Sequence, residues 1–138
     1  LGKANFKRLA PNSDYYDDLN NYSVVIRVEF GNNSFLFCGD AEVQSEREML
    51  RKNHILNSDV LKVGHHGSTS SSSKEFINAV SPEYAIICCG IDNSYGHPHN
   101  EIMDLLNSKN VEIYRTDYNG TIIAESNGSS ITFNTEKN

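Results

Sequence analysis

Side chains that could carry chemistry stand in three short motifs of this 138-residue chain, and each motif directly follows an apolar run. The motifs are Gly-Asp at 39–40, His-His-Gly-Ser at 65–68, and the polar segment 93–99. Carboxylates and imidazoles bind divalent metal ions, and imidazole also titrates near neutral pH. Together the three motifs indicate a site that could bind metal ions.

Asp40 follows the apolar run 35–38 and Gly39. Such a position predicts a carboxylate at the carboxyl edge of a sheet, where α/β proteins bind ligands. There Asp40 could ligate or bridge metal ions. It could also accept backbone N–H bonds as the cap of the following helix, and the Gly-Asp pair taken alone favours the cap.

His65 and His66 stand side by side between glycines, directly after a strand-like run. Neighbouring side chains on extended backbone point in opposite directions, so we expect one histidine to face the site and the other to orient it or to contact substrate. Ser68 and the serine run 70–73 bring hydroxyl and N–H groups to a helix start, which suits a phosphate. The alternative is a solvated polar turn, but the His-His-Gly-Ser pattern favours function.

Asn93, Tyr95 and His97 follow another apolar run and could reach the same sheet edge as the first two motifs. For His97 a role in helix initiation is an equal alternative, because Pro98 suits the first turn of a helix. The remaining histidines are expected on the exposed surface: His54 and His99.

Short strands that alternate with helices must position these motifs, and this alternation predicts one α/β domain with a mixed sheet and flanking helices. Residues 1–21 are expected to form an irregular lead-in, and residues 22–134 the sheet and helices. The expected strands are 23–30, 34–38, 59–63, 83–89, 111–115, 120–124 and 131–133. The expected helices are 43–53, a helix from the serine run to about 80, and one after 98.

Composition narrows the function classes. The net charge of −6 opposes general affinity for nucleic acid, although metal ions bound in a nuclease would supply local positive charge. Three cysteines inside apolar runs are expected to be reduced core thiols. The longest apolar stretches are too short to span a bilayer, so we expect no transmembrane segment in this chain.

Five segments in order carry a resemblance to a known family: 21–25, 37–42, 61–68, 95–99 and 114–121. Over roughly residues 20–131 the chain resembles the metallo-β-lactamase-type hydrolase domain of ComEC competence proteins and their stand-alone relatives. The resemblance implies a four-layer αββα sandwich that binds one or two divalent ions, Zn²⁺ or Mn²⁺. It also implies hydrolysis of phosphodiesters during DNA uptake, with single-stranded DNA as the suggested substrate.

The same resemblance assigns roles to individual residues. Asp40 matches the metal-bridging aspartate and His66 the late histidine ligand, so both are expected to be catalytic. His65 is the alternative ligand if the register is read one residue earlier. Three further residues are candidates to position the phosphate of the substrate: Ser68, Asn93 and His97.

The histidine-rich metal loop of the family has no counterpart in this sequence, because all five histidines follow Asp40. We therefore expect the carboxyl-terminal half of such a domain, which would bind metal weakly or not at all by itself. Its uncovered apolar face would then pair with a second copy or with the missing amino-terminal half.

Three functions stay open on these grounds. The chain could belong to a phosphodiester hydrolase, to a non-catalytic binding or structural module on the same fold, or to a lactonase or thioester hydrolase. The resemblance implies a membrane-associated or extracytoplasmic protein, whereas reduced cysteines favour a cytoplasmic one.

Overall fold

The computed structural model describes residues 2–137. One sheet contains six strands, which are β1 (Asn5–Ala10), β2 (Val25–Phe30), β3 (Asn33–Phe37), β4 (Val60–Lys62), β5 (Tyr84–Ile87) and β6 (Glu112–Arg115). A separate hairpin consists of β7 (Ile122–Ser126) and β8 (Ile131–Thr135). The helices are α1 (Val43–Arg51), α2 (Lys74–Val80), α3 (Asn100–Asn107) and the short α4 (Thr116–Asn119). The mixed α/β sheet with flanking helices that the sequence predicts is thereby confirmed.

The strands of the main sheet are neighbours in the same order as they occur along the chain. β1, β2 and β3 pair antiparallel, whereas β3, β4, β5 and β6 pair parallel. The carboxyl ends of β3, β4 and β5 therefore meet at one edge of the sheet. The three motifs that could do chemistry follow these three strand ends.

Apolar helix faces form the core against one side of the sheet. Met49 of α1, Phe76 of α2 and Leu106 of α3 are almost fully buried against strand residues such as Leu36 and Leu61. Burial of a side chain of this size stabilises the fold by about 1.5–3 kcal/mol. The helices therefore fix the three strands whose ends carry the site.

The β7–β8 hairpin packs on the sheet through aromatic contacts. The ring of Phe133 lies 4.7 Å from that of Tyr84 and 4.5 Å from that of Tyr114. Offset aromatic pairs at such distances contribute roughly 0.5–1.5 kcal/mol beyond the area they bury. The hairpin thus covers part of the sheet and leaves the edge with the site free.

Two predictions about the ends of elements are wrong. Residues 1–21 are not irregular throughout, because β1 pairs with β2 although only Leu9 and Ala10 of that strand are buried. Pro98 does not lie in the first turn of a helix, because α3 begins at Asn100 and His99 occupies its N-cap position. Strand pairing decided the first outcome and loop packing the second. Both depend on contacts between distant segments, which leave no local pattern in the sequence.

Two further features concern the cysteines and the length of the helices. Cys38, Cys88 and Cys89 are free thiols, and Cys38 is buried in the core. No helix within residues 2–137 is long and apolar enough to cross a membrane.

Gly67 brings the loop after β4 into direct contact with the loop before α3. Its φ is +80°, and a Cβ atom there would lie 2.6 Å from Cβ of Pro98. Its carbonyl oxygen accepts the backbone N–H of His99 at 3.0 Å. Only glycine fits this contact without moving one of the two loops.

Gly67→Ala is expected to destabilise the fold more than Gly96→Ala. Both positions have positive φ, +80° and +72°, but nothing lies within 4 Å of a Cβ at Gly96. Gly96→Ala should therefore lower the free energy of unfolding only by the cost of the left-handed backbone, about 1–2 kcal/mol. At Gly67 the clash with Pro98 should lower the free energy of unfolding by about 1 kcal/mol more. Urea unfolding measures both losses of stability. Equal losses would show that the two loops can move apart at little cost.

Candidate active site

The side chain of Asp40 points to His66 and does not cap helix α1. Glu42 occupies the N-cap position of α1, and the backbone N–H of Asp40 donates to Oγ of Ser23 at 3.1 Å. Oδ1 of Asp40 lies 3.5 Å from Nε2 of His66, and both side chains are nearly half exposed. The prediction from the Gly-Asp pair alone, that Asp40 caps helix α1, is therefore wrong.

A backbone carbonyl from the neighbouring strand end orients His66. Nδ1 of His66 lies 2.6 Å from the carbonyl oxygen of Cys88, so this nitrogen carries a proton and donates. In the neutral ring Nε2 then keeps its lone pair and faces the carboxylate of Asp40. Two acceptors that face each other favour a cation between or beside them, either a proton or a metal ion. A carbonyl on the far nitrogen is also typical of histidines that bind metal.

His65 and His66 adopt left-handed backbone conformations, with φ of 44° and 55°. The expectation of extended backbone with opposed side chains is therefore wrong, and the two ring centroids lie only 6.2 Å apart. A left-handed conformation costs a residue other than glycine roughly 1–2 kcal/mol. Consecutive residues in this conformation are typical of functional loops that the surrounding structure holds in place.

A carboxylate and a serine hold His65. Its Nδ1 lies 3.1 Å from Oε1 of Glu42 and 3.0 Å from Oγ of Ser70, and Ser70 donates to the same glutamate oxygen at 2.8 Å. Ser68 is buried and its Oγ lies 3.1 Å from Oγ of Ser70. Ser68 thus belongs to the polar network behind His65, where its hydroxyl is already engaged. Sequence reasoning missed Glu42, although it stands only two residues after Asp40.

Asn93 uses its whole amide to shape the third loop. Its Nδ2 donates to the carbonyl oxygens of Gly90 at 3.0 Å and of His97 at 2.6 Å. Its Oδ1 accepts the backbone N–H of His97 at 2.9 Å. Asn93 therefore positions the loop that carries His97.

The structure brings His97 together with both histidines of the second motif. The ring of His97 lies 5.7 Å from that of His65 and 6.4 Å from that of His66. Partial burial lowers the pKa of His97, and the neighbouring imidazoles of His99, His65 and His66 lower it further. A lowered pKa favours the neutral imidazole at neutral pH, which can both donate and accept hydrogen bonds.

His99 links two of the three loops, which the expectation of a surface position did not foresee. Its Nδ1 accepts the backbone N–H of Thr69 at 3.0 Å, and its Nε2 lies 3.3 Å from the carbonyl oxygen of Tyr95. His54 lies elsewhere, where partial burial and the cations of Lys7, Lys52 and Arg8 lower its pKa.

The donor atoms of Asp40 and His66 are of the kinds that divalent metal ions bind. A catalytic zinc ion needs about three protein ligands and an open position for water. Asp40 and His66 fit as two members of such a set, with His65 beside them. Within residues 2–137, however, no group of three or more His, Cys, Asp or Glu side chains is placed to hold a metal ion.

Comparison with known proteins assigns the family. Residues 15–91 match the model of the Metallo-beta-lactamase superfamily. The chain therefore belongs to the metallo-β-lactamase superfamily, whose members commonly bind divalent metal ions. This result confirms the resemblance to the metallo-β-lactamase superfamily that the sequence predicts.

Similar proteins include the following three from different bacteria. The chain is 41% identical over 117 residues to ComE operon protein 3 of Bacillus subtilis, covering 85% of this chain and 15% of that protein. It is 38% identical over 118 residues to Competence protein ComA of Neisseria gonorrhoeae, covering 85% and 17%. It is 36% identical over 117 residues to Recombination protein 2 of Haemophilus influenzae, covering 85% and 15%. The chain thus spans less than a fifth of the length of these relatives.

The buried side chain of Glu46 binds the backbone of the serine run 70–73. Its side chain in α1 is 2% exposed, and its carboxylate accepts the backbone N–H groups of Ser72 and of Ser73, the latter at 2.9 Å. Burial raises the pKa of Glu46 above its ordinary value of 4.5, although the bonds from Ser73 and Ser72 oppose the shift. The carboxylate therefore ties α1 to the loop that follows His66.

The raised pKa of Glu46 predicts a pH-dependent stability. From pH 4.5 up to the raised pKa, the folded protein binds the proton more tightly than the unfolded chain, so the free energy of unfolding falls as pH rises. Glu46→Gln removes this slope, and exposed Glu101→Gln on α3 serves as the control. Urea unfolding between neutral and mildly acidic pH measures it. Parallel stability curves for wild type and Glu46→Gln would contradict the assignment.

Proposed function

We propose that this chain forms part of the active site of a metal-dependent phosphodiester hydrolase that acts on single-stranded DNA during DNA uptake. The observation that carries the proposal is the pairing of Asp40 with His66 at the carboxyl edge of the sheet, 3.5 Å apart. The membership in the superfamily and the similarity to proteins named for competence and recombination support it.

Each site residue has a defined task in this proposal. The carboxylate of Asp40 and Nε2 of His66 would hold the cation, and the carbonyl of Cys88 keeps the proton of His66 on Nδ1. A Zn²⁺ or Mn²⁺ ion, when bound, would lower the pKa of its water toward about 7 and so make hydroxide available at neutral pH. His97, whose ring lies 6.4 Å from that of His66, would donate a hydrogen bond to the substrate phosphate.

Ser68 and Asn93 act as positioning residues, since their side chains are already bonded within the loops. We propose that further metal ligands come from outside this copy of residues 2–137, because these residues contain no group of three His, Cys, Asp or Glu side chains that could hold a metal ion. A second copy or another segment of the protein would supply them. This second copy or segment would also cover Val24 and Phe37, whose side chains are 53% and 45% exposed.

A non-catalytic binding or structural module is the second candidate. The incomplete ligand set within residues 2–137 favours it, because a site that never acquires a third ligand cannot keep a catalytic ion. Metal analysis of the purified full-length protein separates the two functions: stoichiometric Zn²⁺ or Mn²⁺ supports the hydrolase, and its absence supports the module.

Asp40→Asn should abolish metal-dependent cleavage of single-stranded DNA by the full-length protein. The substitution removes the negative charge that holds the cation but keeps the shape of the side chain. Asp92→Asn, at an exposed position after β5, is the matched control and should keep wild-type cleavage. Nuclease assays with circular dichroism as a check of folding measure the effect. Full activity of Asp40→Asn would remove this residue from the ligand set.

His66→Ala should lower the metal content of the full-length protein more than His65→Ala. His66 faces Asp40 directly, whereas Nδ1 of His65 is engaged by Glu42. Loss of a supporting residue costs about 10–100-fold in metal affinity, and loss of a direct ligand should cost more. Elemental analysis and metal titration rank the variants against His54→Ala. The reverse order would transfer the role of ligand to His65.

A further inference from the structure

Three nearly parallel rings lead from the protein surface into the candidate site. The ring centroid of Tyr95 lies 5.7 Å from that of His97 with an interplanar angle of 18°, and His97 lies 6.4 Å from His66 with an angle of 14°. Tyr95 is 77% exposed and lines a cleft together with His66, Cys89 and Gly90. Core packing does not explain so exposed an aromatic ring beside a polar site.

The loop that carries Tyr95 is fixed by polar bonds. Asn93 closes the loop through its bonds to Gly90 and His97, and Nε2 of His99 donates to the carbonyl oxygen of Tyr95 at 3.3 Å. The backbone that carries Tyr95 is therefore held in place, and its ring stacks on that of His97 at 5.7 Å. A pre-organised group loses less conformational entropy on binding and so contributes more to affinity.

We propose that Tyr95 is a stacking platform for the nucleobase next to the phosphodiester that Asp40 and His66 bind. The inference rests on the proposed function and names the part of the substrate that the exposed cleft takes. Every nucleobase has a flat π face, and aromatic side chains in binding grooves stack on such faces with little dependence on sequence. Tyr95 presents a flat ring of this kind two rings away from His66.

Stacking at Tyr95 fits the single-stranded form of the proposed substrate and the acidic charge of this chain. A base can lie on the ring only when it is free of its stacked neighbours and of a complementary strand, so the platform selects single-stranded DNA. The net charge of −6 provides little general attraction for phosphates. Stacking supplies affinity without positive charge, so the contribution of Tyr95 should change little with salt concentration.

The test compares a normal and an abasic oligonucleotide. Both probes are fluorescent single strands of roughly ten nucleotides, one of thymidine and one with the same backbone but no bases. Fluorescence anisotropy in EDTA measures their binding to the full-length protein, so that no cleavage occurs. The variants are Tyr95→Leu, which removes the aromatic ring, and Tyr95→Phe, which keeps it. Tyr15→Leu changes a tyrosine that is 72% exposed but does not line this cleft.

Tyr95→Leu should weaken binding of the thymidine oligonucleotide about ten-fold and leave the abasic one unchanged. Tyr95→Phe and Tyr15→Leu should bind both probes as wild type does. If wild type binds the thymidine probe and Tyr95→Leu binds it equally well, the platform is wrong while the DNA function stands. An equal loss for both probes would also exclude stacking. If wild type binds neither probe, the platform is wrong, whereas the proposed function is judged by the cleavage assay with Asp40→Asn, because EDTA also removes the cation.

Discussion

The parallel pairing of β3, β4 and β5 is the constraint on which the rest of this structure depends. Parallel neighbours end at the same edge, so the loops that follow them must meet there. This pairing brings Asp40 within 3.5 Å of His66, although the two are far apart along the chain. The helices that connect the strands bury Met49 and Phe76 and so keep the three strand ends in register.

Hydrogen bonds between the loops also hold the site residues in place. His66 is held by the carbonyl of Cys88 from the neighbouring strand end, and His65 by Glu42 from the start of α1. Bonds of this kind offset the cost of two consecutive left-handed residues, which local sequence preferences alone would not sustain. Each anchor also fixes which ring nitrogen carries the proton, and so defines the chemistry that the other nitrogen can perform.

The chain belongs to the metallo-β-lactamase superfamily, yet residues 2–137 contain no complete set of metal ligands. Residues 2–137 contribute a carboxylate and an imidazole that face each other, plus a rigid loop bearing an exposed aromatic ring. An acidic chain can serve a polyanionic substrate in this way, because a bound cation and a stacking surface replace the missing positive charge. The proposed hydrolase thus divides its tasks between cation binding at Asp40 and base recognition at Tyr95.

The sequence by itself determined the alternation of strands and helices, the family, and the three motifs at strand ends. Apolar periodicity and turn residues are local signals, and they encode these features directly. Tertiary structure alone decided that Asp40 turns to His66 and that His99 bridges Thr69 and Tyr95. It also decided that residues 5–10 form an edge strand. These outcomes depend on hydrogen bonds between segments distant in sequence, whose partners are defined only once the sheet has brought them together.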